Sequence, residues 1–208
     1  MSLRFGAVLL AAGEARRMRG IDKLRLSIDG RPLLRRALDA LRAAGAGPIV
    51  VVTGHRPERI RALLEGCGAT LVHNARWEDG QQSSVLAGLA AIDDTVDAVM
   101  IALGDLPLVE PADLRALADA FVRRSPGRAI VVPFHRGDRG NPVVFDASLR
   151  APILARGPDE GARGFVAGHP ELVERYEAGN DHFCVDLDTP EDIERLEARL
   201  GTRLGRAD

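Results

Sequence analysis

The alternation of apolar runs with amphipathic segments constrains this chain most. Phe5–Leu10, Pro48–Thr53, Thr70–His73, Ala98–Leu103 and Ala129–Pro133 are short and continuously apolar, as strands buried on both faces are. Pro32–Ala44, Pro57–Glu65, Ser83–Ala91 and Pro111–Arg124 show helical spacing among them. Three of these segments open on proline, which is favoured at the first helical position. Strand and helix in turn predict an α/β fold: a doubly wound, mostly parallel, Rossmann-like sheet with right-handed crossovers and helices on both faces.

After residue 133 the rhythm changes. Arg139–Phe145 (RGNPVVF) reads as a small antiparallel strand or hairpin, and Gly157–Phe165 (GPDEGARGF) as a polar, glycine-rich section. Phe183–Leu187 reads as a final strand. It leads into DTPEDIERLEARL, where Asp188 or Thr189 caps a helix that begins at Pro190. Glu191 and Asp192 then complement the dipole of its first turn. No repeat, low-complexity tract or linker interrupts the chain, so a single domain over residues 1–208 is expected.

Charge narrows the function. With 28 basic and 30 acidic residues the formal net charge is −2, which argues against a nucleic-acid partner. Basic residues nevertheless crowd the loop after the first strand, in AVLLAAGEARRMRGIDKLRL. Local charge suits a small anionic ligand. Lys23 is the only lysine in the chain; every other basic residue is arginine. Position 23 therefore calls for a compact ammonium on a flexible stem rather than a planar fork.

No apolar run reaches the roughly 18 residues of a membrane span. Phe5–Ala12 is too short for a signal-peptide core and runs into arginines, so a cytoplasmic location without a membrane partner is expected. Cys67 and Cys184 lack metal-ligand spacing and read as reduced thiols. The five histidines show no HxxxH pattern, and there is no GxSxG elbow.

In open α/β sheets, ligands sit beyond the carboxyl ends of the strands. Four motifs fall there. Leu10-Ala11-Ala12-Gly13 lets backbone N–H groups approach phosphate oxygens, which Arg16, Arg17 and Lys23 can neutralise. It matches neither GxxxxGK[ST] nor GxGxxG. Gly104-Asp105-Leu106-Pro107 holds a carboxylate at a strand end, where Asp105 suits Mg²⁺, a cation usually bound through one or two carboxylates plus substrate phosphates. Asp186 and Asp188 point to one side of an extended segment, and either can share a metal with Asp105. Asn74–Ser84 carries the only tryptophan, Trp77, and ends on Ser83 and Ser84, which can reach a ligand or cap their own helix.

LLAAGEARRMRGIDKL, NARWEDGQQSSVLAGL, LGDLPLV, RGNPVVF, GPDEGAR and VDLDTPED, in that order, resemble the molybdenum cofactor cytidylyltransferases, relatives of molybdopterin guanylyltransferase. The resemblance implies Mg²⁺-dependent transfer of CMP from CTP to a molybdopterin-type acceptor, with release of pyrophosphate. It implies that Leu10, Ala11, Ala12, Gly13, Arg16, Ser84 and Gly104 line the nucleotide. Lys23, Arg17 and Asp105 would serve catalysis, with Asp105 and Asp188 on the metal. The family's cytidylyl members carry LAAG where guanylyl members carry LAGG, and Leu10–Gly13 reads LAAG. A transient complex with a molybdenum hydroxylase-type enzyme would follow. The chain departs from the pattern at Ala15, Arg19, Ser27, Gln81 and Asn141. The alternatives are the same chemistry on a methylerythritol phosphate or a sugar 1-phosphate, or a non-catalytic carrier of the cofactor.

Overall fold

The computed structural model describes residues 3–206. The first apolar run forms β1 (Phe5–Ala11), and its residues go alternately to two cores. Ala7, Leu9 and Ala11 face one helical layer, and Val8 and Leu10 the other. In chain order there follow β2 (Leu26–Ile28), β3 (Arg31–Pro32), α1 (Leu33–Ala43), β4 (Ile49–Thr53), α2 (Pro57–Leu63) and β5 (Thr70–His73). Next come α3 (Gln81–Ala91), β6 (Ala98–Leu103), α4 (Pro111–Val122), β7 (Ile130–His135), β8 (Asp138–Arg139) and β9 (Val143–Asp146). The chain closes through α5 (Arg150–Leu154), α6 (Gly157–Gly168), β10 (Val173–Glu177), α7 (Pro190–Leu200) and β11 (Gly205–Arg206).

The main sheet runs β10-β7-β9-β6-β1-β4-β5, with β8 attached to β7. β6, β1, β4 and β5 pair in parallel, as do β10 and β7, whereas β9 is antiparallel to both neighbours. Helices cover both faces as expected. Leu38, Ile60 and Phe121 bring α1, α2 and α4 onto one core; Leu89, Ile153 and Phe165 bring α3, α5 and α6 onto the other. A small antiparallel sheet, β11-β2-β3, lies apart. Its Leu26 and Ile28 join Met18, Leu187, Ile193 and Leu196 in a third cluster, which ties the basic loop to α7.

The glycine-rich section Gly157–Phe165 lies within α6, broken only at Gly161, with φ 49° and ψ −148°. Its glycines mask the spacing of Ala162 and Phe165, which are buried. Phe183–Leu187 is not a strand: a 3₁₀ turn spans His182–Cys184, and an irregular stretch follows. Its apolar residues still go inside, Phe183 at 2% and Leu187 at 0% exposure. The chain is held there by hydrogen bonds from Asn141 N to the Phe183 carbonyl and from Leu187 N to the Asp105 carbonyl. Among the strands that the sequence does not announce, β2, β3, β10 and β11, the longest is β10, VERYE, a half-exposed edge strand whose charges break up any apolar run. α7 starts as expected, with Thr189 at the cap and Asp192 completing a capping box. Cys67 and Cys184 are free thiols.

Packing is tight where α3 crosses the sheet. A Cβ on Gly88 would stand 2.2 Å from Val8 Cγ1 and 2.9 Å from Val52 Cγ2. Gly88→Ala is expected to lower unfolding free energy by about 1–3 kcal/mol through overpacking. Urea unfolding checks this, the midpoint falling with the slope unchanged.

Candidate active site

A cleft of about 900 Å³ opens at the carboxyl ends of β1, β4 and β6. The loop after β1 forms one wall, His55, Arg56, Trp77 and Ser84 a second, and Asp105, Asp186 and Asp188 a third. The loop turns through a 3₁₀ segment, Arg16–Met18, flanked by Ala15 (φ 55°) and Arg19 (φ 51°) in the left-handed region. Such dihedrals strain any residue with a Cβ, and glycine relieves the strain. These are two of the positions at which the sequence departs from the LLAAG pattern. Met18, fully buried, pins the turn from below.

The positive charge of this loop meets carboxylates pair by pair. Arg16 donates to Glu14 at 2.5 Å, and Arg17 to Asp188 at 2.5 Å. Arg19 lies 3.4 Å from Glu191 in the first turn of α7, so it ties the loop to that helix rather than lining the cleft. Lys23 is the most enclosed of these cations, its side chain 14% exposed. Its ammonium stands 2.5 Å from Asp105 Oδ2 and 2.9 Å from Asp188 Oδ1. Burial opposes the Lys23 charge, but Asp105 and Asp188 outweigh it and hold the pKa above the usual lysine value. Burial likewise opposes the Asp188 charge, yet Lys23 and then Arg17 keep its carboxyl below the usual range. Among the described residues no cation forms an ion pair with Asp186. Burial, then the Asp188 and Asp105 charges, push its carboxyl up.

Asp188 is placed from below. Asp192, at the third position of α7, accepts hydrogen bonds from Asp188 N at 3.1 Å, Thr189 N at 2.7 Å and Thr189 Oγ1 at 2.8 Å. Despite its burial, these donors and Arg195 lower its pKa to about 2.

The other expected residues are distributed unequally. Leu10, Ala11, Ala12, Gly13, Arg16, Arg17 and Ser84 line the cleft. A Cβ on Gly13 would meet nothing within 4 Å, whereas one on Gly104 would touch Leu24 and Leu34 at 3.0 Å. Gly104 lies beneath the loop, its N–H on the Leu10 carbonyl, and does not line the cleft. Ser83 ties down the turn that precedes its own helix, its Oγ donating to the Gly80 and Arg76 carbonyls at 2.8 Å. Asn74, buried, donates to the Oγ atoms of both Ser83 and Ser84 and fixes the loop. Trp77 is half-buried and edge-on to His55, with ring centres 5.2 Å apart. His55 and Arg56 belong to no motif, yet they follow β4, where the strand-end rule places ligands, and they line the cleft. Asn141 also lines the cleft.

The residues fit a divalent cation shared with a ligand. Asp105 and Asp188 already share one cation, and Asp105 Oδ1 is buried without a hydrogen-bond partner among the described residues. No cluster of three or more potential ligands forms a closed metal cage among those residues. Two carboxylates with open positions are what a Mg²⁺-like ion bound through phosphates requires.

A family model for the MobA-like NTP transferase domain matches residues 7–175. The chain belongs to this family. Its enzyme class is accordingly nucleotidyltransferase. The nicotine blue oxidoreductase of Paenarthrobacter nicotinovorans is 32% identical, over 91% of this chain and 94% of its own length. Bifunctional GlmU of Pelobacter propionicus is 36% identical over 69% of this chain, which spans only 31% of that protein. A nucleotidyl transferase from Methanothermobacter thermautotroptrophicus superposes with a TM-score of 0.79 at 25% identity, covering 95% of this chain and 98% of its own. Rv0371c of Mycobacterium tuberculosis, solved as a complex with manganese, gives 0.74 at 26% identity, with coverage of 93% and 97%. No helix among the described residues is long and apolar enough to cross a membrane.

The cap beneath Asp188 makes a pH prediction. Because the folded-state pKa of Asp192 is depressed from 3.8 to about 2, its stabilisation is complete above pH 3.8 and is lost as pH falls through about 2. Asp192→Ala is therefore expected to cost about 1 kcal/mol at neutral pH, with the difference from the parent vanishing near pH 2. Urea titrations across this range measure it.

Proposed function

We propose that this chain transfers CMP from CTP to a phosphorylated, molybdopterin-type acceptor. The observation that carries the reading is the Lys23–Asp105–Asp188 cluster, set against a small-residue loop at the carboxyl edge of the sheet. The Leu10–Gly13 backbone receives the nucleotide, and the methyl of Ala12 narrows the pocket toward a pyrimidine. Asp105 and Asp188 would hold a Mg²⁺-like ion, which would supply charge neutralisation for the phosphates. The manganese complex of a structural relative supports a divalent ion. Lys23 and Arg17 supply the positive charge that faces the phosphates from the basic loop.

In the reaction an oxygen of the acceptor's terminal phosphate forms a bond to the α-phosphorus of CTP. The bond from that phosphorus to the bridging oxygen of the β-phosphate breaks, and pyrophosphate leaves with the electron pair. Lys23 and Arg17 stabilise the charge that develops on the transferring group and the leaving oxygens. A molybdenum hydroxylase-type enzyme is the recipient this product implies.

The nicotine blue oxidoreductase relative supports a second reading, a redox reaction at the same cleft. A thermal-shift panel of CTP, GTP, ATP, UTP, NADH and NADPH, with and without Mg²⁺, separates the two. CTP at about 100 times its Kd is expected to add roughly 2.7 kcal/mol of stability. A shift with a dinucleotide and none with any triphosphate favours the redox reading. Pyrophosphate release with CTP is expected only with a pterin phosphate among the acceptors named above; release with a sugar phosphate alone overturns that choice. Lys23→Gln and Asp105→Asn are each expected to slow release by about 100-fold or more.

A further inference from the structure

Asp105 and Asp188 meet at the cleft, yet the segments that carry them are unlike. Asp105 follows β6 and is backed by the sheet, whereas Val185–Asp188 has no regular structure. A segment without a ladder keeps its place only through individual ties. Near the cleft, Leu187 N donates to the Asp105 carbonyl at 3.2 Å.

A second tie joins the same two segments further from the cleft. Downstream of Asp105 the chain enters α4, whose third residue is Asp113. Upstream of Asp188 it passes through Asn180 and His182. Asp113 Oδ2 accepts from His182 Nδ1 at 2.8 Å and from Glu110 N at 2.9 Å, and its Oδ1 accepts from Asn180 Nδ2 at 3.1 Å. Asn180 Oδ1 in turn accepts from His182 N at 3.1 Å, which holds the turn against the helix. Burial opposes the Asp113 charge, but the His182 and Asn180 donors outweigh it, and its carboxyl lies below the usual range. An ionised carboxylate only accepts, so the proton in the contact with His182 sits on Nδ1.

The Asp113 and His182 side chains are largely enclosed, 12% and 27% exposed. The bonds from Arg199 to Asp181 on the same turn are exposed, and ion pairs in that setting contribute little. Between His182 and the cleft lies Phe183, which is buried. Gly140 packs so closely on it that a Cβ there would stand 2.6 Å from Phe183 Cβ. Close-packed groups transmit a displacement rather than absorb it, so a shift at His182 passes on to Leu187 and Asp188.

We propose that Asp113 and His182 are positioning residues for the Lys23–Asp105–Asp188 cluster. They fix where the segment bearing Asp188 crosses the one bearing Asp105, and so the separation of the two carboxylates that Lys23 bridges. Neither residue lines the cleft, so the effect travels through the chain. Its consequence for turnover rests on the transferase reading; its consequence for the cluster does not.

Lys23 is the only lysine, so protein grown on ¹³C-labelled lysine gives one Cε resonance, which reports the cluster without any ligand. His182→Phe keeps a ring and removes the donor, leaving the Glu110–Asp113 cap of α4 in place. His182→Asn returns an amide nitrogen close to where Nδ1 stood. At one fixed pH the Lys23 resonance is expected to move in His182→Phe and to return toward the parent position in His182→Asn. Asp113→Asn, similar in size, is expected to move it as His182→Phe does, and decides the matter if the ring variant does not fold. Arg199→Ala, which breaks the exposed tie, is expected to leave it in place. With CTP and acceptor, kcat is expected to fall about tenfold in His182→Phe at a temperature where the variant is folded. An unmoved resonance in folded His182→Phe, an equal movement in Arg199→Ala, or no recovery in His182→Asn overturns the proposal. The expected Lys23 shifts together with no pyrophosphate release by the parent remove the transferase reading and leave the positioning standing.

Discussion

The site depends on one largely enclosed ammonium held between two carboxylates. Asp105 enters from the end of β6, Asp188 from the approach to α7, and Lys23 from the loop after β1. A charge taken out of water needs a partner, and removing one member of such a group costs about 3–5 kcal/mol. The three segments therefore fix one another. The solitary lysine has its reason here: a compact donor can serve two carboxylates from different directions, which a flat guanidinium does poorly. At the rim, where Arg16 and Arg17 remain largely exposed, arginine suffices.

The loop above this ion group is held against its own preference. Ala15 and Arg19 keep left-handed dihedrals although neither is glycine, and strain of that kind persists only where the surroundings impose it. The surroundings are Met18 in the third core cluster and Glu191 beneath Arg19. Asp192 adds a further tie, since the carboxylate that caps α7 also receives the Asp188 N–H. Helix capping and site geometry are one network here.

The central sheet was legible because Leu9, Val51 and Met100 belong to runs buried on both faces, which leave an unbroken apolar signature. Segments whose burial and secondary structure part company were not. Phe183 and Leu187 are core residues on an irregular chain, so apolar character pointed to a strand that backbone hydrogen bonds do not make. The edge strand β10 shows the converse, regular pairing under a polar sequence. At the site, Lys23, Asp105 and Asp188 were found because strand ends mark ligands in this architecture. The pairing of Lys23 with both carboxylates was not, since it depends on a contact between residues 165 positions apart. Gly104 misled for a related reason: its smallness serves Leu24 and Leu34, not a ligand.

The reversed strand β9 has a consequence for how such a cleft can be varied. Parallel strands deliver to the ligand edge only the residues that follow them. A strand of opposite direction delivers there the residues that come before it, which in this chain include Arg139 and Asn141. One rim is thus written by loops leaving the sheet and the adjoining rim by a turn entering it. The two can change length and chemistry independently, without disturbing the strands between them.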